Sequence, residues 1–476
     1  MPETFDDSHA PLRASATFVA TDLIRIMECD RPLGGGARYS LDGVDRITLG
    51  RGDTALARRS TASGIVTVDV RVPARSMSTA HARIVRVAGD WVVEDLGSKN
   101  GTFVDGARIT RAVLEEHSIL ELGHTFFRVR RTLVSSGDAG VNVDVDLLPE
   151  AHAAQTRTPI MTLMPVFAQQ LDALAKLAAS QVPVLVTGES GTGKEVVARW
   201  VHARGPRAAE GPFVAVNCGA IPETLVESQL FGHVKGAFSG AVRDEEGFVR
   251  AANGGTLFLD EIADLPAPSQ AALLRVLQER EVVPVGSARA VKVDLRLLSA
   301  THRSLATMVT EGSFRRDLFA RIAGFELTVP PLRDRKDDLG VLMALLLQRI
   351  MGDRATSVAL TVEVGRALLA YDWPYNVREL EQCLSVCTAL SGGGLIERSH
   401  LPVTLAAASV ARRDEGARAG ESDARPGDEK LRMQLLDELA RHGGNLADVA
   451  RAMGKARMQI HRWCRRFGID PNVFRR

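Results

Sequence analysis

Two hydrophobic periods alternate along the chain and divide it. From about Thr17 to Arg131 the apolar residues fall in short, strand-like runs, among them "RITLGR", "GIVTVDVRV", "HARIVRV" and "TFFRVRR", broken by Gly, Asp and Asn. Short β-rich runs at this spacing predict a β-sandwich. From about Pro159 to Ala406 compact apolar runs such as "VPVLVTG", "FVAVNC", "GTLFLDE" and "VDLRLLSAT" are each followed by a helical pattern. That alternation predicts an α/β domain with a mostly parallel sheet. The remainder, 429–476, is helical by period. The expected organisation is therefore multidomain: a β-sandwich over 17–131, a linker over 132–158, an α/β domain over 159–406, a charged Ala/Gly-rich linker over 407–428, and an all-α end.

Bulk composition changes this picture little. Hydrophobic residues make up 45% and charged residues 25%, ordinary for globular domains. The net charge of +1 hides a local excess, because Glu429–Arg476 carries eleven Lys/Arg against five Asp/Glu. A basic helical end points weakly to nucleic acid. Five cysteines, with no CxxC pair, are read as reduced thiols of a cytoplasmic protein; Cys383 and Cys387, four apart, suit one helix face. No apolar run approaches the ~20 residues that cross a bilayer, and Met1–Ala10 does not resemble a secretory signal, so no membrane association is expected.

The chemistry concentrates in the α/β region. "GESGTGKE" (Gly188, Glu189, Ser190, Gly191, Thr192, Gly193, Lys194, Glu195) lies between a strand and a helix. Glycines let successive backbone N–H groups converge on phosphate oxygens, the helix N-terminus adds its dipole, and Lys194 supplies a charge. "GGTLFLDEI" ends an apolar strand on Asp260 and Glu261, where α/β sheets bind ligands. Asp260 would hold Mg²⁺ through its water shell, and Glu261 would orient the attacking water.

Together these motifs resemble, across the whole of 159–406, the AAA+ P-loop domain of sigma-54-dependent activators, with its α-helical lid. The resemblance implies ATP hydrolysis with Mg²⁺ by a hexameric ring that acts on sigma-54 RNA polymerase. It accommodates Glu195, which stands where the general phosphate-loop pattern has Ser or Thr. In "VNCGAI", Asn217 matches the residue that pairs with the catalytic glutamate. In "FRRDLFARI", Arg315 and Arg321 match arginines that reach a neighbouring subunit's site. In "WPYNVREL", Arg378 matches a sensor of the nucleotide phosphates. "GAFSGA" (Gly236, Ala237, Phe238, Ser239, Gly240, Ala241) resembles the family's GAFTGA loop, which contacts sigma-54. Four positions depart from the pattern: Ser239 for Thr, Val234 for Glu, His302 for the usual Asn of the first sensor, and Tyr375 for a Gly that often serves a tight turn.

The amino-terminal strands resemble an FHA domain, which reads phosphothreonine. "LGR", "MSTAHARI" and "DLGSKNGTFVDG" match in order. By that resemblance Arg51 and Ser78 bind phosphate, His81 holds the binding loop, Asn100 grips the peptide backbone, and Lys99 assists. Arginine with a hydroxyl donor suits a dianionic phosphate. Thr79 replaces the Arg common after the serine, and the stretch between Arg51 and Ser78 is long, with Arg58, Arg59 and Arg75 inside it. The carboxy-terminal "GGNLADVARAMGKARMQIHRWCRRFGI" divides into helix, turn and helix, with Asn445 as N-cap and Gly454 at the turn. It resembles a Fis-type helix-turn-helix for enhancer DNA, with Arg457, Gln459, His461, Arg462 and Arg466 toward the groove and Lys455 near phosphate. The leading expectation is an ATP-driven transcriptional activator governed by a phosphothreonine protein or peptide. The alternatives are a AAA+ remodeller of another protein and a phosphopeptide-regulated DNA-binding scaffold that does not hydrolyse ATP. A Glu261→Gln chain that still opened promoters would favour the scaffold.

Overall fold

The structure is a computed structural model of the chain; it describes residues 17–87, 89–135, 142–145, 160–208, 211–405, 428–467, 469 and 471–474. Most of the two expected linkers, and the first 16 residues, lie outside the described residues. The chain divides into two compact units, one joining the amino-terminal strands with the carboxy-terminal helices, the other holding the central α/β region.

The first unit is a two-sheet sandwich. One sheet has the order β13-β2-β1-β12-β11-β8-β9, built from β1 (Thr17–Glu28), β2 (Gly36–Ser40), β8 (Thr102–Val104), β9 (Ala107–Ile109), β11 (Ile119–Leu122), β12 (Thr125–Ser135) and β13 (Val143–Val145). The other has the order β10-β7-β6-β3-β5-β4, built from β3 (Arg46–Arg51), β4 (Leu56–Ala62), β5 (Ile65–Val72), β6 (Ala82–Val87), β7 (Asp90–Asp95) and β10 (Arg111–Leu114). Strand β3 pairs β5 in parallel, and β4 and β5 form a hairpin that accommodates the long stretch after Arg51. Alternate residues such as Ile47, Leu49, Val70, Ile84, Trp91, Val93, Leu120 and Phe127 meet between the sheets. Each fully buried side chain of this size stabilises by roughly 1.5–3 kcal/mol. Strand β13 lies inside the stretch expected as linker and pairs β2, and Asp144 from it forms an ion pair with buried Arg25.

Three helices complete this unit: Asp428–Arg441, Leu446–Ala452 and Arg457–Arg466. Asn445 caps the second, its side chain accepting from the Ala447 N–H. Gly454, in the left-handed region, makes the turn to the third. Ile460 and Cys464 are buried and Trp463 partly so.

The second unit is built on a parallel sheet of order β15-β16-β19-β14-β20, from β14 (Val184–Thr187), β15 (Phe213–Asn217), β16 (Thr256–Asp260), β19 (Arg296–Thr301) and β20 (Phe325–Thr328). A small hairpin, β17 (Glu281–Val282) and β18 (Val291–Lys292), precedes β19. One face of the sheet packs on Phe167, Leu171, Leu174, Val197 and Val201, the other on Val226, Leu230, Leu273, Leu277 and Leu318. Helices Leu339–Met351, Val362–Ala370 and Asn376–Leu390 form a lid. The last carries Cys383 and Cys387 on one face, 3.9 Å apart, and all five cysteines are free and buried. Among the described residues no helix is long and apolar enough to cross a membrane.

Candidate functional site

The loop after β14 runs directly into the helix Lys194–Arg204. Gly188, Gly191 and Gly193 all have φ in the left-handed range, which only glycine adopts cheaply. At Gly191 a side chain is excluded twice over, since a Cβ there would meet the Tyr375 carbonyl oxygen at 2.3 Å. Lys194 is buried, and its Nζ donates to the Gly188 and Glu189 carbonyls at 2.9 and 3.3 Å.

The lid grips this loop from the other side. Buried Asn376 accepts from the Leu332 N–H and donates to the Ser190 carbonyl and the Glu189 carboxylate. Arg333 donates to both Glu189 oxygens, and its bonds with that of Asn376 hold the Glu189 carboxyl below its usual range. Arg335, buried, donates to the Thr192 carbonyl. Arg378 reaches the Ser190 hydroxyl at 3.2 Å. Arg333 and Arg335 are not singled out by the sequence, and Asn376 lies inside "WPYNVREL" with nothing there to mark it as a contact of this loop. Tyr375 needs no glycine-like backbone: its φ is −105°, and the left-handed positions are its neighbours Trp373 and Asn376.

Strand β16 delivers Asp260 and Glu261 to the same place. Burial, with the neighbouring Glu261 charge, raises the Asp260 carboxyl. Burial also acts to raise Glu261, but hydrogen bonds from His302 and the charge of Lys194 outweigh it and leave Glu261 lowered. His302 Nδ1 lies 2.7 Å from Glu261 Oε2, the His302 N–H donates to the same oxygen at 3.2 Å, and Lys194 Nζ is 3.5 Å from Oε1. The expected pairing of Asn217 with Glu261 is not the one found. Asn217 lines the cavity, but its side-chain oxygen accepts from the Gly219 N–H and caps the turn after β15.

These groups surround a cavity of 740 Å³. Ser190, Gly191, Gly193, Lys194, Glu195, Asp260, Glu261 and Arg378 line its polar side, while Leu342, Leu345 and Leu346 of the lid give it an apolar wall. A polar phosphate end with an apolar base end is the chemistry of a nucleotide site. The oxygen donors at the strand end also suit a magnesium ion, which keeps most of its waters and takes one or two carboxylates plus phosphate. Asp260, raised by burial beside Glu261, is the group such an ion would relieve. Among the described residues no cluster of three or more His, Cys, Asp or Glu forms a metal cage, and that mode of binding needs none.

Arg315 and Arg321 stand outside this cavity. Arg315 is exposed and paired with Asp317, its backbone N–H held by buried Gln270; Arg321 is exposed and donates to the Leu277 carbonyl. The 236–241 loop belongs to the same unit. Gly236 N–H donates to the Ala241 carbonyl and Ala241 N–H to that of Phe238, closing a tight tip. Phe238 is 39% exposed, with its ring 4.9 Å from that of His233. Val234 N–H donates to Val285, so the loop after β17 braces the tip, and a Cβ at Gly286 would strike Ala237 at 2.7 Å.

In the sandwich, Arg51, Ser78, His81 and Asn100 gather on the loops at one end. Arg51 N–H donates to the Ser78 carbonyl, and the Ser78 hydroxyl accepts from the Lys99 N–H. His81 is wholly buried: Nδ1 accepts from the Ser78 N–H and Nε2 bonds the Gly101 carbonyl. Asn100 donates to the Ser76 carbonyl, tying the two loops. Arg51, Lys99 and Asn100 face solvent. On the third carboxy-terminal helix Arg457, His461 and Arg462 are exposed, as is Lys455 before it, while Gln459 is half-buried; the Arg466 side chain lies outside the described residues.

Family models and known proteins match large parts of this chain. The family model described as Sigma-54 interaction domain matches residues 160–328, AAA+ ATPase lid domain matches 333–418, and FHA domain matches 47–123. Response regulator protein PilR of Pseudomonas aeruginosa is 42% identical over 328 residues, covering 68% of this chain and 72% of that relative. Transcriptional regulatory protein GlrR of Escherichia coli is 39% identical over 325 residues, covering 67% and 70%. The solved structure of NtrX from Brucella abortus in complex with ATP is similar at 29% identity and a TM-score of 0.48, covering 66% of this chain and 70% of that one. The chain therefore belongs to the family of sigma-54-dependent activators and carries an FHA domain ahead of its sigma-54 interaction domain.

Proposed function

We propose that this protein is an ATP-hydrolysing activator of sigma-54 RNA polymerase, working as a hexameric ring, steered to enhancer DNA by its carboxy-terminal helices and governed by phosphothreonine recognition at its sandwich. The observation that carries this reading is the meeting of Lys194, Asp260, Glu261 and Arg378 on one cavity while Arg315 and Arg321 point to solvent elsewhere. A pocket that Arg315 and Arg321 do not enter and a surface offering both of them fit the complementary halves of a shared active site.

In this reading the 188–194 amides and Lys194 bind the phosphates, and the lid leucines take the base. Glu261, ionised, orients a water in line with the terminal phosphate. Arg315 and Arg321 of a neighbouring copy stabilise charge on the transferring phosphoryl group. A magnesium ion, held through water by Asp260, would supply further charge neutralisation. Loss of the terminal phosphate removes a partner of Arg378 and the target of the water that Glu261 orients, and the change is passed to the Phe238 tip that meets sigma-54. Arg457, Gln459, His461, Arg462 and Arg466 read or hold DNA, with Lys455 on phosphate. Arg51 and Ser78 bind the phosphothreonine phosphate and Asn100 the peptide.

The test is open-complex formation by the purified chain with sigma-54 polymerase, ATP and a phosphothreonine peptide, beside ATP turnover at rising protein concentration. ATP-dependent promoter opening that is lost in Glu261→Gln supports the reading; absence of turnover at every concentration overturns it.

A further inference from the structure

The outer face of the sandwich breaks the alternation expected of a strand in water. In β6, β7 and β10, Ile84, Trp91, Val93, Ala112 and Leu114 point into the core, so Val85, Val92 and Val113 point out. The register sets these three valines side by side, Val85 opposite Val92 and Val92 opposite Val113. Two charged rows flank them. On one side Glu94 sits between Arg83 and Arg111 and bonds both. On the other are Asp90, with Val87 opposite it, and Glu115 just past β10.

The helix Asp428–Arg441 carries the matching pattern. Arg432 Nη2 is 2.9 Å from Asp90 and its Nη1 is 3.4 Å from Glu115; Asp437 receives Arg111 at 2.6 Å on both oxygens. Leu435 and Leu436 between these polar contacts, and Leu439 just past them, join Val92, Val113, Val449 and Ile460 in one buried cluster. Basic meets acidic at one end, acidic meets basic at the other, and apolar meets apolar between. A helical segment this short has a marginal core of its own, and the valine row supplies the surface it lacks.

We infer that the β6-β7-β10 face of the sandwich is a docking surface for this chain's own carboxy-terminal helices, so that the phosphothreonine module and the DNA reader move as one body. The contact leaves Arg457, His461 and Arg462 exposed, so docking orients the reader without covering it. Its regulatory consequence rests on the DNA and phosphothreonine readings above; the docking does not.

Amide hydrogen exchange on the full chain, without nucleotide, DNA or peptide, tests the docking by itself. The double variant Val92→Glu/Val113→Glu should speed exchange in 428–441 about tenfold or more while β3 and β5 keep their protection. Arg111→Asp and Asp437→Arg should each loosen the helix, and the two together should restore it; this pair decides the matter if the glutamates disturb the sandwich. Unchanged exchange in the glutamate variant with an intact sandwich, or no recovery in the charge swap, overturns the proposal. So does protection of 428–441 that disappears on dilution, which would assign the contact to a second copy.

Discussion

His302 Nδ1 lies 2.7 Å from Glu261 Oε2, and the backbone N–H of the same histidine donates to the same oxygen. The proposed water-orienting carboxylate is therefore held by the residue that replaces the family's usual asparagine at the first sensor. Replacing His302 with Ala removes the side-chain bond, the foremost of the influences lowering Glu261, so the carboxyl moves up toward its ordinary value. The loss expected at neutral pH is one of position. We expect kcat for ATP to fall by ~10²-fold with KM little changed, and the acid limb of the kcat–pH profile to shift to higher pH. His302→Asn should recover most of kcat. A His302→Ala enzyme with an unmoved profile and full kcat would make the contact incidental.

The arginines outside the cavity give a complementation experiment. Arg321→Ala keeps its own pocket and Lys194→Ala keeps its own arginines. Each alone should lose turnover by roughly 10³–10⁵-fold for the arginine and comparably for the lysine. Mixed, they should regain a measurable fraction, because the lysine variant's arginines can serve the arginine variant's pocket. A mixture no more active than its parts would exclude sharing.

Under the proposed function, substitution of Phe238 should separate ATP hydrolysis from its use. Phe238→Ala removes an exposed ring that touches His233 but nothing in the nucleotide cavity. ATP turnover should persist while promoter opening with sigma-54 polymerase is lost. Ser239→Thr, which adds a methyl, should keep both activities. Parallel loss of turnover in Phe238→Ala would mean that the tip is a structural part of the ATPase.

The burial of His81 leads us to expect an acid-sensitive sandwich. Burial lowers its pKa below 6.5, with the Gly101 carbonyl only partly opposing. The native state thus disfavours the proton that the unfolded chain accepts at about 6.5. The stability this confers is complete above that pH and is lost as pH falls below it toward the native value. The melting temperature of the sandwich should drop over that interval. His81→Gln should flatten this slope and cost about 1–3 kcal/mol at neutral pH, by leaving the Ser78 N–H or the Gly101 carbonyl unpaired. A His81→Gln chain with an unchanged slope would move the titration to another group.

What the sequence made legible was local. The phosphate loop, the Asp260–Glu261 strand end and the loops bearing Arg51, Ser78, His81 and Asn100 are contiguous stretches whose chemistry is set by neighbours in the chain. The rest depends on distant segments. Asn376 and Arg333 hold Glu189 from the lid, and only the folded lid shows that this loop is clasped from both sides. Asn217 was expected on Glu261, yet that carboxylate is already occupied by two bonds from His302 and by Lys194. The valine row needs the register of three strands, since Val85, Val92 and Val113 each look unremarkable in runs that are apolar on both sides.

The strand order of the central sheet has a further effect. Strand β19 lies between β16, which ends in Asp260, and β14, which feeds the phosphate loop, and its Thr301 carbonyl accepts from the Gly188 N–H. Its interior residues Ser299 and Ala300 are sealed from water. Ala300 packs on the face shared with Val186 of β14, Phe258 of β16 and Val197 of the helix after the phosphate loop. A bulky residue at 300 therefore overfills the layer beneath both shoulders of the cavity and should impair affinity and turnover jointly, as a stone forced under the keystone of an arch unsettles both of its sides.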